Sequence, residues 1–308
     1  MKRSLLVITI LFLSIKTFAQ GDGPKSHNFA PTGIWGINPK YLHLTQNLVP
    51  SGTILVDGAE FTIDVAPITL FHTFGIKGRY ARVYAMINPG SATGNVEASP
   101  GVTSINANGF ADGFVAMELG LINSPALTIQ EFSKHTPTFT MTGNLRLWYS
   151  GTYDSEKLLN LGTNRWIIEV GTPMNIPLST TPGKATWLET YPYMQFYTDN
   201  NDPARSARAE VTAQKAMFRI ENHLTHNFTP KLWASFDFSY QYGGRTVVDG
   251  VDDDNLINIL GGGATVGYQV LPYLSAYVGY GTVFAGDNDA NVDMFRFSVA
   301  FTYANMKK

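Results

Sequence analysis

The 308-residue chain contains no cysteine. That excludes disulfide scaffolding, thiolate metal sites and cysteine nucleophiles, and no cysteine is available for a lipid anchor behind a leader. Charge is scarce as well: Asp, Glu, Lys and Arg supply 15% of the residues, against about 25% in ordinary soluble domains. The formal net charge of −2 is not the basic balance that holds nucleic acid. Beyond the first twenty residues no apolar run approaches the ~20 residues that a helix needs to span a bilayer. Neither G-x-S-x-G nor H-E-x-x-H occurs, and "GGGATVG" lacks the Lys-Ser/Thr ending of a phosphate loop. The histidines, His27, His43, His72, His135, His223 and His226, are scattered. His223 and His226 would face opposite sides of a strand and cannot share a metal. The acidic stretches "DGVDDDN" (249–255) and "GDNDAN" (286–291) lack the sixth-position glycine of an EF-hand loop and read as solvated loops. The chain is therefore expected not to be an enzyme, with no catalytic residues, metal or cofactor. The enzymatic alternative is a lipid-modifying barrel carrying a Ser–His pair on its outer wall.

What is present points elsewhere. "MKRSLLVITILFLSIKTFAQ" has Lys2 and Arg3, an apolar run from Leu5 to Leu13, and Thr17-Phe18-Ala19 before Gln20. A charged start, a short apolar stretch and a small-x-small site make a signal peptide over residues 1–19, cleaved after Ala19. Losing Lys2, Arg3 and Lys16 takes the net charge from −2 to −5.

Aromatic residues reach 13%, and they alternate. In "KLWASFDFSYQYGG" (231–244), Leu232, Ala234, Phe236, Phe238, Tyr240 and Tyr242 share one face, while Trp233, Ser235, Asp237, Ser239 and Gln241 share the other. "TFTMTGNLRLWYSG", "RWIIEVG", "MFRIENHL" and "MFRFSVAFTY" repeat the pattern, each hiding its charges opposite its aromatics. A period of 2 means strands with two unlike faces. In a soluble sandwich the wet faces would carry more Lys and Glu. In an outer-membrane barrel the apolar face meets lipid and the polar face lines the lumen. Strands are expected near 36–47, 59–71, 76–88, 112–122, 138–150, 164–175, 186–199, 214–226, 231–243, 256–270, 272–285 and 292–304. The expected fold is all-β: a transmembrane antiparallel up-and-down barrel of about twelve strands over residues 34–308. Residues 20–33 precede it as a segment able to fold into the lumen.

Long connections such as "NPGSATGNVEASPGVTSINANG", "DNNDPARSARAE" and "GGRTVVDGVDDDN" alternate with short ones such as "HNFTPK" and "VLPY", as outer loops alternate with periplasmic turns. "NSPALTIQEFSKHTP" is the exception. Ser124-Pro125 reads as a helix start there, so a short periplasmic helix is expected.

Several blocks carry a resemblance. "YDSEKLLNLGTNRWIIEVG" (153–171), "FYTDNND" (196–202), "YQYGGRTVVDGVDDDN" (240–255) and the earlier "GFADGFVAMELGLINSPAL" (109–127) resemble, in order, the signature segments of the phenol-degradation meta-pathway outer-membrane family. The likeness runs from about residue 33 onward. It implies an outer-membrane β-barrel of a Gram-negative cell, with outer-membrane lipid around it and a small hydrophobic or aromatic solute as partner. The expected function is a transporter or channel with a gated or partly plugged lumen; the alternative is a closed structural or interaction barrel. The ending "ANMKK" departs from the terminal aromatic common in such barrels.

Alternation places Glu118, Arg146, Arg165, Glu169, Glu189, Arg219, Glu221, His223, Asp237 and Arg296 inward. Arg146 should approach Arg165 or Glu169, and Arg219 or Glu221 should approach Asp237. Acids and bases nearly balance, which argues against strong ion selectivity. Gly261, Gly263, Gly267, Gly279 and Gly281 also fall inward, as curvature sites or as a bare patch for a ligand or an inward-folded segment. Arg165 and Arg245 should sit at the outer mouth, with Arg245 meeting Asp199 or an acid of "VDDDN" and the pair holding the loops in a constriction.

Overall fold

A computed structural model describes residues 21–51, 54, 59–96 and 105–304. The leader expected at 1–19 and the tail after Ala304 lie outside them. The described chain forms a closed ring of twelve antiparallel strands. We number them β1 (Ile34–Gln46), β2 (Ala59–Val65 and Ile68–Ile76), β3 (Arg79–Val96), β4 (Ile105–Ile122), β5 (Thr140–Tyr149), β6 (Ile167–Gly171 and Met174–Ser179), β7 (Thr186–Tyr197), β8 (Met217–Asn227), β9 (Leu232–Gly243), β10 (Ile257–Leu271), β11 (Leu274–Gly286) and β12 (Val292–Ala304). Each pairs with its sequence neighbours, and β12 closes on β1 from Ile34↔Ala304 to Gln46↔Val292. No helix among the described residues is long and apolar enough to cross a membrane. The crossing is made by strands, whose backbone groups are all satisfied once the ring closes.

The pleat sets the two surfaces. Phe236, Phe238, Phe297 and Phe301 are exposed, whereas Ser235, Asp237, Ser239 and Gln241 are buried. An apolar residue exposed on a strand whose polar neighbours are buried faces lipid. Trp35, Phe228, Tyr273 and Tyr303 are exposed at the short-turn end; Phe110, Trp166, Phe196 and Tyr242 are exposed at the other. These are the two aromatic girdles of a membrane barrel. By the barrel rule the short-turn end is periplasmic.

Two strands break in mid-course. In β2, Pro67 has no N–H, and the ladder continues through Ala66 N–H to Pro89 O and Lys40 N–H to Pro67 O, both 2.8 Å. In β6, Pro173 does the same between Thr172 N–H to Pro192 O and Thr142 N–H to Pro173 O. The strand expected at 164–175 therefore extends to Ser179 in two pieces. The β2–β3 turn lies at Lys77-Gly78, both with positive φ, where a two-residue hairpin turn requires it. Reading Pro89-Gly90 as a breaker cut β3 short at residue 88; the pair sits inside the strand, with Gly90 against the Asp64–Val65 backbone.

The long periplasmic connection contains one turn of helix, Ile129–Phe132, but Ser124-Pro125 does not start it. Thr128 caps it, accepting from Glu131 N–H while Glu131 accepts from Thr128 N–H. This capping box was legible as Thr-x-x-Glu. At the outer end, Thr212–Gln214, Thr246–Val248 and Val251–Asp252 form a separate small sheet.

The lipid-facing assignment predicts that Phe238→Arg, midway along β9, lowers stability by ~2–4 kcal/mol, while Phe238→Leu changes it little. Urea titration of the folded fraction in lipid vesicles measures both, and equal tolerance of Arg and Leu would contradict the assignment.

Candidate functional site

The inward faces divide into two zones. Towards the periplasm and the midplane the wall is polar. Towards the outer end it turns apolar: Leu44, Phe61, Ile63, Met217, Ile257, Ile259, Val292 and Met294 point in from five strands and pack with Leu159 and Leu161 of the β5–β6 loop. The alternation alone indicated a polar wall throughout. The apolar belt was visible only as apolar residues on the inward face at outer strand ends, Ile257 and Ile259 in "NLINIL" and Phe61 and Ile63 in "EFTIDV".

The polar zone is a network of buried ions. Arg146 lies 3.2 Å from Glu169, its register partner on β6. It also pairs with Asp22, donates from Nε to the Tyr84 hydroxyl (2.9 Å), and sits against the Phe114 and Tyr191 rings. Glu169 accepts from the Tyr191 hydroxyl (2.6 Å), Gln195 and Trp148. Glu118 pairs with Arg82 at 2.5 Å and accepts from the Thr142 hydroxyl. Asp237 meets His223 at 2.7 Å, not Arg219 or Glu221, because the β8–β9 turn sets the register His223↔Asp237. Glu221 accepts from the Tyr193 hydroxyl, and Glu189 from the Thr225 hydroxyl. Arg219 lies beside Met217 Sδ.

Residues 21–29 complete this network. Asp22 N–H donates to Glu221 (3.1 Å) and Lys25 N–H to Glu189 (2.5 Å). Arg82 donates to Ser26 O, Asn175 to His27 O, Lys40 to Asp22 O and Arg296 to Gly21 O. The segment thus bonds to β1, β3, β5, β6, β7, β8 and β12 within nine residues. His27 spans Asp22 (2.8 Å) and Glu118 (3.2 Å) and lies against Tyr191. Lys25 Nζ stands 4.5 Å over the Trp233 ring, and that ring fills the space above Gly267, where a Cβ would come within 2.1 Å of it. Gly23, at φ +87°, lies flat on the Arg296 guanidinium; a Cβ there would sit 2.6 Å from Nη1.

Sequence reasoning missed Arg82, Lys40, Asp22 and His27 as members. Arg82 was hidden because Tyr80 and Tyr84 flank it on the inward face, against the rule that aromatics mark lipid. The segment has no periodicity to read.

Burial pushes the Asp22 carboxyl up, but Arg146 and then His27 outweigh it and hold it well below the usual range. Burial pushes His27 down, but Glu118 and Asp22 together raise it above its ordinary 6.5. Burial takes Lys25 down to about 8, despite Glu189.

The outer mouth holds a cavity of about 900 Å³ above the apolar belt, lined by Phe61, Ile105, Leu158, Leu159, Leu161 and Arg165 among others. Arg165 is 6% exposed and donates to Gln214 (3.2 Å) and Thr212 (3.4 Å) of the small outer sheet. It does not reach Arg146. Arg245 is half-exposed on the loop and lies 3.5 Å from Asp252, an acid of "VDDDN", which also pairs with Lys215. Among the described residues no cluster of three or more His, Asp or Glu side chains could hold a metal ion.

A search of curated proteins gave no match. Among solved structures, an outer membrane channel from Pseudomonas putida F1 superposes with a TM-score of 0.74 at 16% identity, covering 91% of this chain and 99% of that one. The beta domain of the Bordetella autotransporter Brka gives 0.49 at 9% identity over 88% and 99%. The Pseudomonas putida toluene transporter TodX gives 0.44 at 9% over 94% and 95%. The first likeness supports the closed outer-membrane barrel derived above. The family model for the MetA pathway of phenol degradation matches residues 51–301, and this outer-membrane β-barrel belongs to that family.

Proposed function

We propose that the barrel is a channel for small hydrophobic or aromatic solutes, entered through the mouth cavity and gated by residues 21–29. The observation that carries this reading is the sequence of environments along the lumen. A mouth cavity of about 900 Å³ opens onto an apolar belt, and beneath it the charges are tied to a single crossing segment. Apolar pockets of several hundred Å³ with a few placed polar groups bind small ligands. A wall whose acids and bases are matched offers little to an inorganic ion. The aromatic character of the solute is supported by the family's link to phenol degradation. In this reading the mouth sheet, held by Arg165 and by the Arg245–Asp252 pair, narrows the entrance, and the segment must leave its seat for a solute to pass.

Gly23→Val tests the gate. It adds a branched side chain at a positive φ and drives it into Arg296, so it should unseat the segment without touching the strands. Planar-bilayer recordings should show a small conductance for the wild type and one several-fold larger for Gly23→Val. Equal, large conductance in both would remove the gate; equal, negligible conductance together with no solute uptake in vesicles would favour a closed structural barrel.

The gate should also respond to pH. A raised His27 holds more protons seated than unseated, so its contribution is complete below pH 6.5 and lost as pH rises through the raised value. The lowered Asp22 contributes above pH 3.8, and its share is lost as pH falls through its depressed value. Lys25, lowered to about 8, opposes seating below that pH, and its penalty is relieved between 8 and 10.5. Seating is therefore firmest on the acid side of neutrality. Open probability should rise from pH 6.5 towards 8, and His27→Gln should abolish that rise.

A further inference from the structure

The passage reading leaves one group unexplained. Arg165 is buried at the mouth cavity with apolar neighbours, Leu158, Leu159, Leu161, Phe61 and Ile105, lining the same space. Its two terminal nitrogens bond to neutral oxygens, those of Gln214 and Thr212. Its Nε has no hydrogen-bond partner among the described residues, and no carboxylate of those residues lies within 4.0 Å of the guanidinium. Deeper in the lumen Arg82 and Arg146 are each matched by a carboxylate, and Arg296, whose Nε is likewise without a partner among the described residues, gives Nη1 to the Gly21 carbonyl of the crossing segment. Asp112, on the same side of the mouth, is already occupied: it accepts from Gly151 N–H, Thr163 N–H and the Thr163 hydroxyl.

A loop staple does not require this arrangement. Two neutral acceptors can be held by a neutral donor such as Gln, at lower desolvation cost than a buried guanidinium with no carboxylate in direct contact among the described residues. What a guanidinium adds is a planar fork suited to a carboxylate, here with Nε unpartnered among the described residues.

We infer that Arg165 anchors the head group of the solute, so that the mouth cavity selects hydrophobic monoanions with a carboxylate on an aromatic or short alkyl body over uncharged molecules of the same shape. The inference rests on the passage reading and narrows its substrate class. The cavity wall carries the apolar body, and the guanidinium supplies a positive head-group contact that no carboxylate of the described residues takes within 4.0 Å. Asp253, Asp254 and Asp289 also line the cavity. Their carboxylates repel multiply charged anions such as phosphates, which limits the class to a single negative charge.

Binding of 4-phenylbutyrate and of 4-phenylbutan-1-ol, which share one apolar body, tests this on the full-length protein in detergent at pH 7.5, read by calorimetry. The wild type should prefer the carboxylate by about tenfold or more, equivalent to about 1.4 kcal/mol. Arg165→Gln should bring that ratio close to one by weakening the carboxylate, leaving the alcohol unchanged. Equal binding of both probes by the wild type, or a preference that survives in Arg165→Gln, overturns the anchor and leaves the apolar cavity standing. Failure of both probes to bind the wild type overturns the passage reading and the anchor with it. Heat-modifiable gel mobility shows whether each variant is folded. Should Arg165→Gln fail to fold, Arg165→Lys decides, since it keeps the charge and loses the fork: a ratio lowered about threefold or more supports the anchor, and an unchanged ratio overturns it.

Discussion

Everything inside this barrel follows from the cost of a charge in hydrocarbon. A closed strand ring offers each residue two places, lipid or lumen, and a charge facing lipid at the midplane costs ~2–4 kcal/mol. The ionisable side chains of the spanning strands are therefore driven into one narrow interior, where desolvation makes an unmatched charge costly. The Arg146–Glu169 pair is the centre of the solution: two register partners, Arg146 further satisfied by the Tyr84 hydroxyl and Asp22 and Glu169 by the Tyr191 hydroxyl. Most of the rest of the polar zone is arranged around it.

The same constraint explains why residues 21–29 belong with the wall. Glu189 and Glu221 each accept a backbone N–H from this segment, and Glu118 reaches the segment through His27. Arg82 and Arg296 donate to its carbonyls. The wall thus carries polar capacity that it does not fully satisfy itself.

The sequence showed some of this plainly and some not at all. The facing of Arg146, Glu169, Glu221 and Asp237 followed from a period of 2, which the pleat enforces wherever one surface is lipid. Register across strands did not follow, because a turn residue more or less shifts every pairing, and so Asp237 met His223. The end of the strand expected at 76–88 was misread because Pro89 interrupts the ladder only locally, while the strands expected at 59–71 and 164–175 ran through Pro67 and Pro173 and stopped short of Ile76 and Ser179. The apolar belt went unseen because the facing is inverted there: Phe61, Ile63 and Met294 point inward while Thr62, Asp64 and Asp293 point out, against the rule that the apolar face meets lipid. Arg82 was masked by inward tyrosines. Arg165 and Arg245 were placed at the mouth by loop order alone, yet their partners depended on how the small outer sheet folds over them.

The entry of the segment into the barrel has a further consequence. At its base Thr32 N–H is bonded to Leu127 O and Gly33 N–H to Thr73 O, both 2.8 Å. A segment released from its seat thus remains moored at the periplasmic rim by a nine-residue arm, whose full reach is about 30 Å. Confined to that volume, it meets its own binding wall at an effective concentration in the millimolar range. On the gating proposed above, reseating would be a unimolecular event, independent of how many copies the membrane holds, and the length of the mooring would set how long each opening lasts.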